Sequence, residues 1–213
     1  MSFDIDVVRR LGGRVVGVRL EAPPGITVLT GPSGVGKTST LNMVAGLLRP
    51  DSGHVRLYGE SLFDAHLGID VPPHHRRLGY VFQDGRLFPH LRVRANLLYG
   101  FRSDPACSPV LTFDEIIGFL DLKPLLDRWP RSLSGGEARR VAIGRALLSG
   151  ARALLMDEPL ASLDRARQEE ILRIVEKLRD DKLLPILYVT HDMREAERLA
   201  NHVVEVGRRD DVP

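Results

Sequence analysis

The residues from Gly31 to Thr38 have the types and spacing of a loop that binds phosphate. They match the pattern G-x-x-x-x-G-K-[ST] between a β-rich run and a helical stretch. Glycines let the backbone curl until successive N–H groups point at phosphate oxygens, and the helix N-terminus adds partial positive charge. The pattern predicts that Lys37 reaches the β- and γ-phosphates and that the Thr38 hydroxyl ligates Mg²⁺. The predicted binding residues of this phosphate loop are Gly31, Pro32, Ser33, Gly34, Val35, Gly36, Lys37, Thr38 and Ser39.

Two carboxylates follow the apolar run at residues 153–156. Asp157 stands at the predicted strand tip, where it can hold Mg²⁺ through water. Glu158 stands one residue further, where it can polarise an attacking water. Taken alone, such a pair more often only begins a loop, but the phosphate loop upstream favours the catalytic interpretation.

A second glycine pair, Gly135-Gly136, lies between Ser134 and Glu137 and precedes a helical stretch that extends to about residue 148. The S-x-x-E spacing is that of a capping box, so one interpretation is simply a well-formed helix start. The glycines also expose the backbone at a helix N-terminus, which makes a second potential anion site. Two such helix ends, far apart in one chain, predict that two chains meet and that each supplies one end to the other's nucleotide.

Short β-rich runs alternate with helical patterns, which predicts an α/β core whose parallel strands carry ligands at their carboxyl ends. Residues 55–58 and 78–82 are predicted as a strand pair that brackets a loop. The other predicted strands are residues 3–8, 15–20, 26–30, 153–156 and 186–190. The predicted helices are residues 37–48, 137–148, 165–180 and 193–200.

The stretch from residue 84 to residue 131 changes character, because short helical patterns lie there between prolines. We predict one domain over 1–213, with a nucleotide-binding core at 1–83 and 153–213 and an inserted helical subdomain at 84–152. An antiparallel β subdomain is expected near the N-terminus. No regulatory domain is expected after Pro213.

Composition narrows the class of protein. The 213 residues are 43% hydrophobic and 27% charged, as in an ordinary globular protein. The net charge of +2 is too small to indicate nucleic-acid binding. The single cysteine, Cys107, excludes an intrachain disulfide and a cysteine metal cluster. With no long apolar run and no secretory signal, a cytoplasmic protein is expected.

The order of these motifs along nearly the whole chain resembles that of ATP-binding cassette (ABC) ATPases. Four further features complete this series of motifs. They are Gln83 after a strand, Leu-Ser-Gly-Gly-Glu at 133–137, Ser162-Leu163-Asp164 and His191. The resemblance implies a P-loop NTPase (RecA-like) core that uses ATP and Mg²⁺. It also implies a head-to-tail homodimer in the ATP-bound state, with each ATP held between one chain's phosphate loop and its partner's signature motif, residues 133–137.

The resemblance also implies roles for single residues. Glu158 is the general base, and Gln83 contacts Mg²⁺ and senses a membrane partner. His191 contacts the γ-phosphate, although a lone histidine after a strand is more often structural. Asp164 helps the two chains communicate. The signature residues that meet the partner's ATP are Ser134, Gly135, Gly136 and Glu137.

Residues 78–91, 96–100, 124–128 and 158–164 are similar to the ATPase subunits of bacterial importers for molybdate and related oxyanions. This implies integral membrane permease partners, indirectly a periplasmic or lipid-anchored solute-binding protein, and a place on the inner face of the cell membrane. Leu11 stands near the position where the family usually carries an aromatic residue that stacks on adenine.

Several alternatives remain open at this level. A soluble ABC ATPase that acts on nucleic acid or ribosomes, or an exporter ATPase, fits the same motifs. The arginines after the signature form either a solvated face or part of the dimer interface, and the histidines are expected in solvated loops. The apolar residues around Gln83 form a landing site for a permease helix, core packing, or both. The three sets are Arg139, Arg140 and Arg145; His54, His66, His74, His75 and His90; and Phe82, Leu87, Phe88 and Leu91.

Overall fold

The computed structural model describes residues 1–101, 109–181 and 183–207. Cys107 and Pro213 lie outside the described residues. The described chain forms two compact units. The first contains Met1–Arg76 and the residues from Pro185 onward, and the second contains Arg77–Leu184. The predicted boundaries at residues 83 and 153 stay a prediction.

The strands and helices are numbered in chain order. The strands are β1 (Phe3–Leu11), β2 (Arg14–Ala22), β3 (Ile26–Thr30), β4 (Ser52–Leu57), β5 (Glu60–Asp64), β6 (Ile69–Asp70), β7 (Leu78–Val81), β8 (Ala153–Asp157), β9 (Ile186–Val189) and β10 (His202–Glu205). The helices are α1 (Lys37–Ala45), α2 (Val93–Leu98), α3 (Phe113–Phe119), α4 (Gly135–Leu148), α5 (Arg165–Asp180) and α6 (Met193–Leu199).

The first unit combines an antiparallel sheet with parallel strands. The antiparallel sheet has the order β2-β1-β4-β5-β6, and a two-residue turn joins β1 to β2. Beside it, β3 pairs in parallel with both β9 and β10. All five residues of β3 are buried, as expected for a strand covered on both faces. This strand leads directly into the phosphate loop.

A buried arginine anchors α1 from its C-terminal end. Arg76 is only 1% exposed, and its Nη1 donates to the carbonyl oxygens of Met43 at 3.0 Å and Val44 at 2.9 Å. Its Nε donates to the Val71 carbonyl at 2.7 Å, and its Nη2 lies 3.0 Å from Asp70. Carbonyls in the last turn of a helix lack intrahelical partners, so these bonds satisfy groups that burial would otherwise penalise.

The second unit builds its helices around a parallel pair of strands. Strand β7 pairs with β8 from Leu78↔Ala153 to Val81↔Met156. Helix α4 packs closely on β7 at Gly79, where a Cβ atom would stand 3.0 Å from the Ala146 carbonyl oxygen. This close approach sets the distance between the helix that follows the signature motif and the strand that precedes Gln83.

The structure corrects the predicted strand pair at 55–58 and 78–82. Strand β4 pairs with β1 and β5, whereas β7 pairs with β8 in the second unit. The intervening residues, predicted as a loop, contain β5 and β6. The β4–β5 turn is Tyr58-Gly59, with Tyr58 at φ 51°, so a bulky residue occupies a position where Asn or Asp is the usual signal. Strand β10 was also not predicted.

We expect Arg76→Met to lower the free energy of unfolding by about 3 kcal/mol, because it removes the buried hydrogen bonds to two helix-end carbonyls, the bond to the Val71 carbonyl and the ion pair with Asp70. Urea denaturation measures this change. Arg49→Met is the matched control, since Arg49 also lies near Asp70, at 3.6 Å, but is 73% exposed. Its loss should stay below about 1 kcal/mol. Equal losses for the two variants would contradict the anchoring role of Arg76.

Candidate active site

The phosphate loop runs from the end of β3 into the first turn of α1, which contains Lys37, Thr38 and Ser39. Gly36 precedes the helix at φ 110°, and a Cβ atom there would collide with Val16 of β2. Glycine is therefore required by both backbone conformation and packing. The loop lies between a strand and the N-terminus of a helix, as the sequence predicts.

Lys37 lies along this loop. It is 5% exposed, and its ammonium donates to the carbonyl oxygens of Gly31 at 2.8 Å and Pro32 at 3.1 Å. An ammonium is a compact charge on a flexible stem, so its contacts with the loop carbonyls can be exchanged for contacts with an anion. The arrangement keeps a positive charge within the loop itself.

Two clefts of the first unit border the phosphate loop. One, of about 820 Å³, lies between the loop, the start of β2 and the residues after β10. Leu11 is not among its lining residues, and no aromatic side chain is among the described residues that line it. Those residues are Gly13, Arg14, Val15, Val16, Pro32, Ser33, Gly34, Val35, Glu205, Val206 and Gly207.

The second cleft, of about 570 Å³, places His191 on the same cavity as the phosphate loop. Its lining includes His191, Met193 and the loop residues Gly31, Pro32 and Ser33. The structure therefore brings together two site elements that lie far apart in the sequence. The functional interpretation of His191 gains a geometric basis, because the histidine is exposed and lines the same cavity as the loop.

Hydrogen bonds on both sides hold the segment that carries His191. The buried Tyr188 on β9 donates from its hydroxyl to Glu195 Oε2 on α6 at 2.8 Å. The Thr190 hydroxyl accepts from the Asp192 N–H at 3.0 Å, and Asp192 caps α6. Burial raises the pKa of Glu195 above its ordinary value, although hydrogen bonds from Tyr188 and Thr190 oppose the shift. Tyr188 and Glu195 were not predicted from the sequence, because a contact between a strand and a helix leaves no periodic pattern of residues.

The carboxylate pair belongs to the second unit. Asp157 is the last residue of β8 and is 4% exposed, while Glu158 follows it half-buried. Glu158 adopts φ 42°, which is uncommon for a residue with a side chain. Such conformations persist only where the surroundings enforce them, and they cluster at functional sites. The chain thus turns sharply at the predicted general base.

The signature motif begins α4 with the predicted capping box. The Ser134 hydroxyl accepts from the Glu137 N–H at 3.3 Å, and Glu137 Oε2 accepts from the Ser134 N–H at 2.7 Å. The bond from the Ser134 N–H lowers the pKa of Glu137, which keeps it ionised at the positive end of the helix. The capping-box prediction is confirmed.

The glycines of the signature pack against the segment that holds Asp164. A Cβ atom at Gly135 would stand 2.9 Å from Leu163 Cδ2, and one at Gly136 would stand 3.0 Å from Arg167 Cδ. Asp164 caps α5 by accepting from the Arg167 N–H at 3.0 Å, and this bond lowers its pKa. The structure therefore joins two predicted site segments within the second unit.

Gln83 is exposed and lies in the loop after β7, and arginines of α4 hold that loop. Arg139 donates to the carbonyls of Phe82 and Gln83, and Arg145 donates to the carbonyls of Gly85 and Arg86. Arg139 is 5% exposed, so the solvated-face interpretation is wrong for it. Arg140 instead donates to the Leu120 carbonyl at 3.3 Å.

The remaining predictions have the following outcomes. Phe82, Leu87, Phe88 and Leu91 are all half-buried, so a landing site and core packing both stay open. His66, His74, His75 and His90 are exposed, whereas the solvated-loop prediction is wrong for His54, which lies half-buried on β4 and pairs with Asp4. In the described ranges, no three His, Cys, Asp or Glu side chains cluster as metal ligands, and no helix is long and apolar enough to cross a bilayer.

We predict that the free energy of unfolding of Glu195→Gln increases relative to that of the wild-type protein as pH rises. The raised pKa of Glu195 means that its ionised form is disfavoured in the folded state, so the native protein loses stability once pH exceeds the ordinary glutamate range. Glutamine avoids this penalty and still accepts the Tyr188 hydrogen bond. Urea denaturation from about pH 4 to about pH 8 measures the difference. Glu197→Gln, exposed on α6, controls for the lost charge. A pH-independent difference between the two variants would contradict the prediction.

Comparisons with known proteins show what the chain is similar to. A model of the ABC transporter family matches residues 16–161. The chain is 52% identical over 208 residues to the molybdenum import ATP-binding protein ModC of Mesorhizobium japonicum, covering 98% of this chain and 56% of the relative. It is 54% identical over 199 residues to ModC of Paramagnetospirillum magneticum, covering 93% and 55%. The chain thus spans about half the length of these curated relatives.

Solved structures share the fold. The dimeric post-hydrolysis state of the ATP-binding cassette MJ0796, bound to ADP and Pi, superposes with a TM-score of 0.73 at 25% identity, covering 96% of this chain and 93% of that one. The cbiO1 structure from Clostridium perfringens gives a TM-score of 0.78 at 22% identity over 97% and 85% of the two chains, which shows the fold alone. Since the family model matches more than half of the chain, this protein belongs to the ABC transporter family and has the nucleotide-binding α/β fold of its ATP-binding cassettes.

Proposed function

We propose that the chain is the ATP-hydrolysing, nucleotide-binding part of an ABC importer for molybdate or a related oxyanion. The observation that carries the ATPase assignment is the phosphate loop with its buried Lys37 and with His191 on the same cavity. The oxyanion assignment rests on relatives named as molybdenum import ATP-binding proteins at 52% and 54% identity. The alternatives, an exporter or a protein acting on nucleic acid or ribosomes, gain no support from these relatives.

The residues fit a nucleotide with Mg²⁺. The donors assigned to the metal are the Thr38 hydroxyl, the Gln83 amide oxygen and the Asp157 carboxylate, and oxygen is the ligand that Mg²⁺ prefers. Thr38 belongs to the first unit, and the other two belong to the second. When bound, Mg²⁺ supplies positive charge that neutralises the β- and γ-phosphates. The metal set stays a proposal.

Hydrolysis then follows from the chain's own groups. The loop N–H groups, Lys37 and His191 bind the phosphates and stabilise the charge that develops on the transferred group. Glu158 orients a water molecule and accepts its proton as the water oxygen attacks the γ-phosphorus. The bond from phosphorus to the β–γ bridging oxygen breaks, and ADP leaves with inorganic phosphate as the second product.

The partners follow from the same proposal. Two chains bind head to tail in the ATP-bound state, and the Ser134–Glu137 segment of each meets the ATP held by the other, with Asp164 beside the junction. A solved cassette at 25% identity is described as dimeric, which supports this arrangement.

The cassette divides into a core at 1–83 and 153–213 and a helical subdomain at 84–152. Permease subunits place it on the inner face of the membrane, and a solute-binding protein delivers the oxyanion.

Glu158→Gln should reduce kcat for ATP hydrolysis by about a hundredfold to a thousandfold while ATP affinity stays within about twofold, because a general base acts on the reaction rather than on binding. Phosphate release and calorimetry measure the two quantities. Glu170→Gln, exposed on α5, controls for the charge change, and Lys37→Ala should lose affinity instead. Near-normal turnover by Glu158→Gln would overturn the assignment.

Disruption of the gene should abolish uptake of radiolabelled molybdate at low concentration, and expression of the wild-type protein should restore it. The Glu158→Gln variant should not restore uptake, because transport requires hydrolysis. Uptake of an unrelated solute, such as an amino acid, serves as the control. Molybdate uptake that continues unchanged without the gene would reject the oxyanion assignment and leave the ATPase assignment standing.

A further inference from the structure

The loop that carries Gln83 is held at four backbone positions by two arginines of one helix. We define the Gln83 loop as residues 82–86. Arg139 donates to the carbonyl oxygens of Phe82 and Gln83, the latter at 2.6 Å. Arg145 donates to those of Gly85 at 3.1 Å and Arg86 at 2.8 Å. The order of the partners shows that the loop runs alongside α4 in the same direction as the helix.

These bonds fix a conformation that the loop would not keep by itself. The loop closes with one backbone hydrogen bond, from the Gly85 N–H to the Phe82 carbonyl at 2.9 Å. Arg86 adopts φ 41°, a strained backbone for a residue with a side chain. A planar guanidinium can bond two carbonyl oxygens at once, so the two arginines add four hydrogen bonds to the single backbone bond of the loop.

The arginines are enclosed rather than solvated. Arg139 is 5% exposed, and Arg145 is half-buried, with its pKa lowered by burial. The Arg145 guanidinium also lies 5.1 Å from the centre of the Phe88 ring, just beyond the loop. Within the loop itself, the Arg86 guanidinium lies 4.2 Å from the Phe82 ring, so the first and last loop residues also contact each other. The bonds from Arg139 and Arg145 are therefore the contacts that a displacement of α4 would break or carry along.

We propose that Arg139 and Arg145 are positioning residues that make α4 and the Gln83 loop one mechanical element. This inference rests on the proposed function, in which Gln83 contacts Mg²⁺ and the start of α4 meets the partner's ATP. A helix is stiff, so a displacement at its capped N-terminus at Ser134 moves both guanidiniums and, through them, the backbone of Gln83. Neither arginine contacts the reacting atoms.

A double-mutant cycle tests this inference, because residues that act as one unit are not additive. Arg139→Met removes the donors but keeps an apolar stem, and a misplaced Gln83 should lower kcat by about tenfold to a hundredfold. Added to Gln83→Ala, which removes the amide side chain, Arg139→Met should cause no further loss. Losses that multiply would overturn the inference. Arg140→Met is the control, since Arg140 bonds to Leu120 and its effect should multiply with that of Gln83→Ala.

Folding is checked by urea denaturation and by ATP affinity, which depends on the phosphate loop. If Arg139→Met does not fold, Arg139→Lys replaces it, because lysine keeps the charge but cannot span both carbonyls. We call the hold of Arg139 and Arg145 on the Gln83 loop the clamp. Arg145→Met should likewise cause no further loss of kcat when it is added to Gln83→Ala. Losses of kcat that multiply in this pair would also reject the clamp.

A second measurement separates this inference from the proposed function. If Gln83→Ala leaves kcat unchanged, the proposed role of Gln83 fails, and the clamp is then judged by hydrogen exchange. In Arg139→Met, the Gly85 amide, which donates to the Phe82 carbonyl, should exchange about tenfold faster, because the loop opens more often. Exchange in α1 should stay the same. Unchanged exchange at Gly85 would overturn the clamp, whatever the kinetics show.

Discussion

Hydrogen bonds from side chains to the backbone at the ends of helices and strands hold several parts of the candidate site. A helix end or a loop leaves N–H and C=O groups that must find partners once they are buried. In this chain, arginines satisfy carbonyls, as Arg76 does for the last turn of α1. Short acidic and hydroxyl side chains satisfy N–H groups, as Ser134 does for α4. The site depends on these bonds because its residues lie in loops and at the ends of helices and strands, where the ladder of backbone bonds is incomplete.

The same rule explains the charges around the site. Glu137 and Asp164 each accept from a backbone N–H at a helix start, and each has a pKa lowered by that bond, so both stay ionised where the helix dipole favours negative charge. Glu195 is the opposite case. It lies against Tyr188 beneath the His191 segment, where burial outweighs its hydrogen bonds and raises its pKa. Position within the fold, rather than residue type, decides which carboxyl group tolerates its charge.

The sequence predicted the parts of the site that short-range patterns encode. The phosphate loop, the capping box at Ser134 and the carboxylates after β8 each occupy one continuous stretch with a fixed spacing, so each was found without the fold. The roles of Arg139 and Arg145 were missed because their partners lie more than fifty residues away in the chain. Strands β5, β6 and β10 were missed because they are short and their turns carry weak signals. Long-range contacts leave no period in the sequence.

The two glycines of the signature motif show how one sequence feature meets two demands. A bare backbone at the start of α4 suits an anion, which is the proposed reason for Gly135 and Gly136. The same positions are also tight for a Cβ atom, because the side chains of Leu163 and Arg167 pack against them. A larger residue at Gly136 would therefore have to shift the Arg167 side chain as well as cover the helix end. The signature motif and the Asp164 segment thus pack against each other within the second unit, and a change in one of them affects the other.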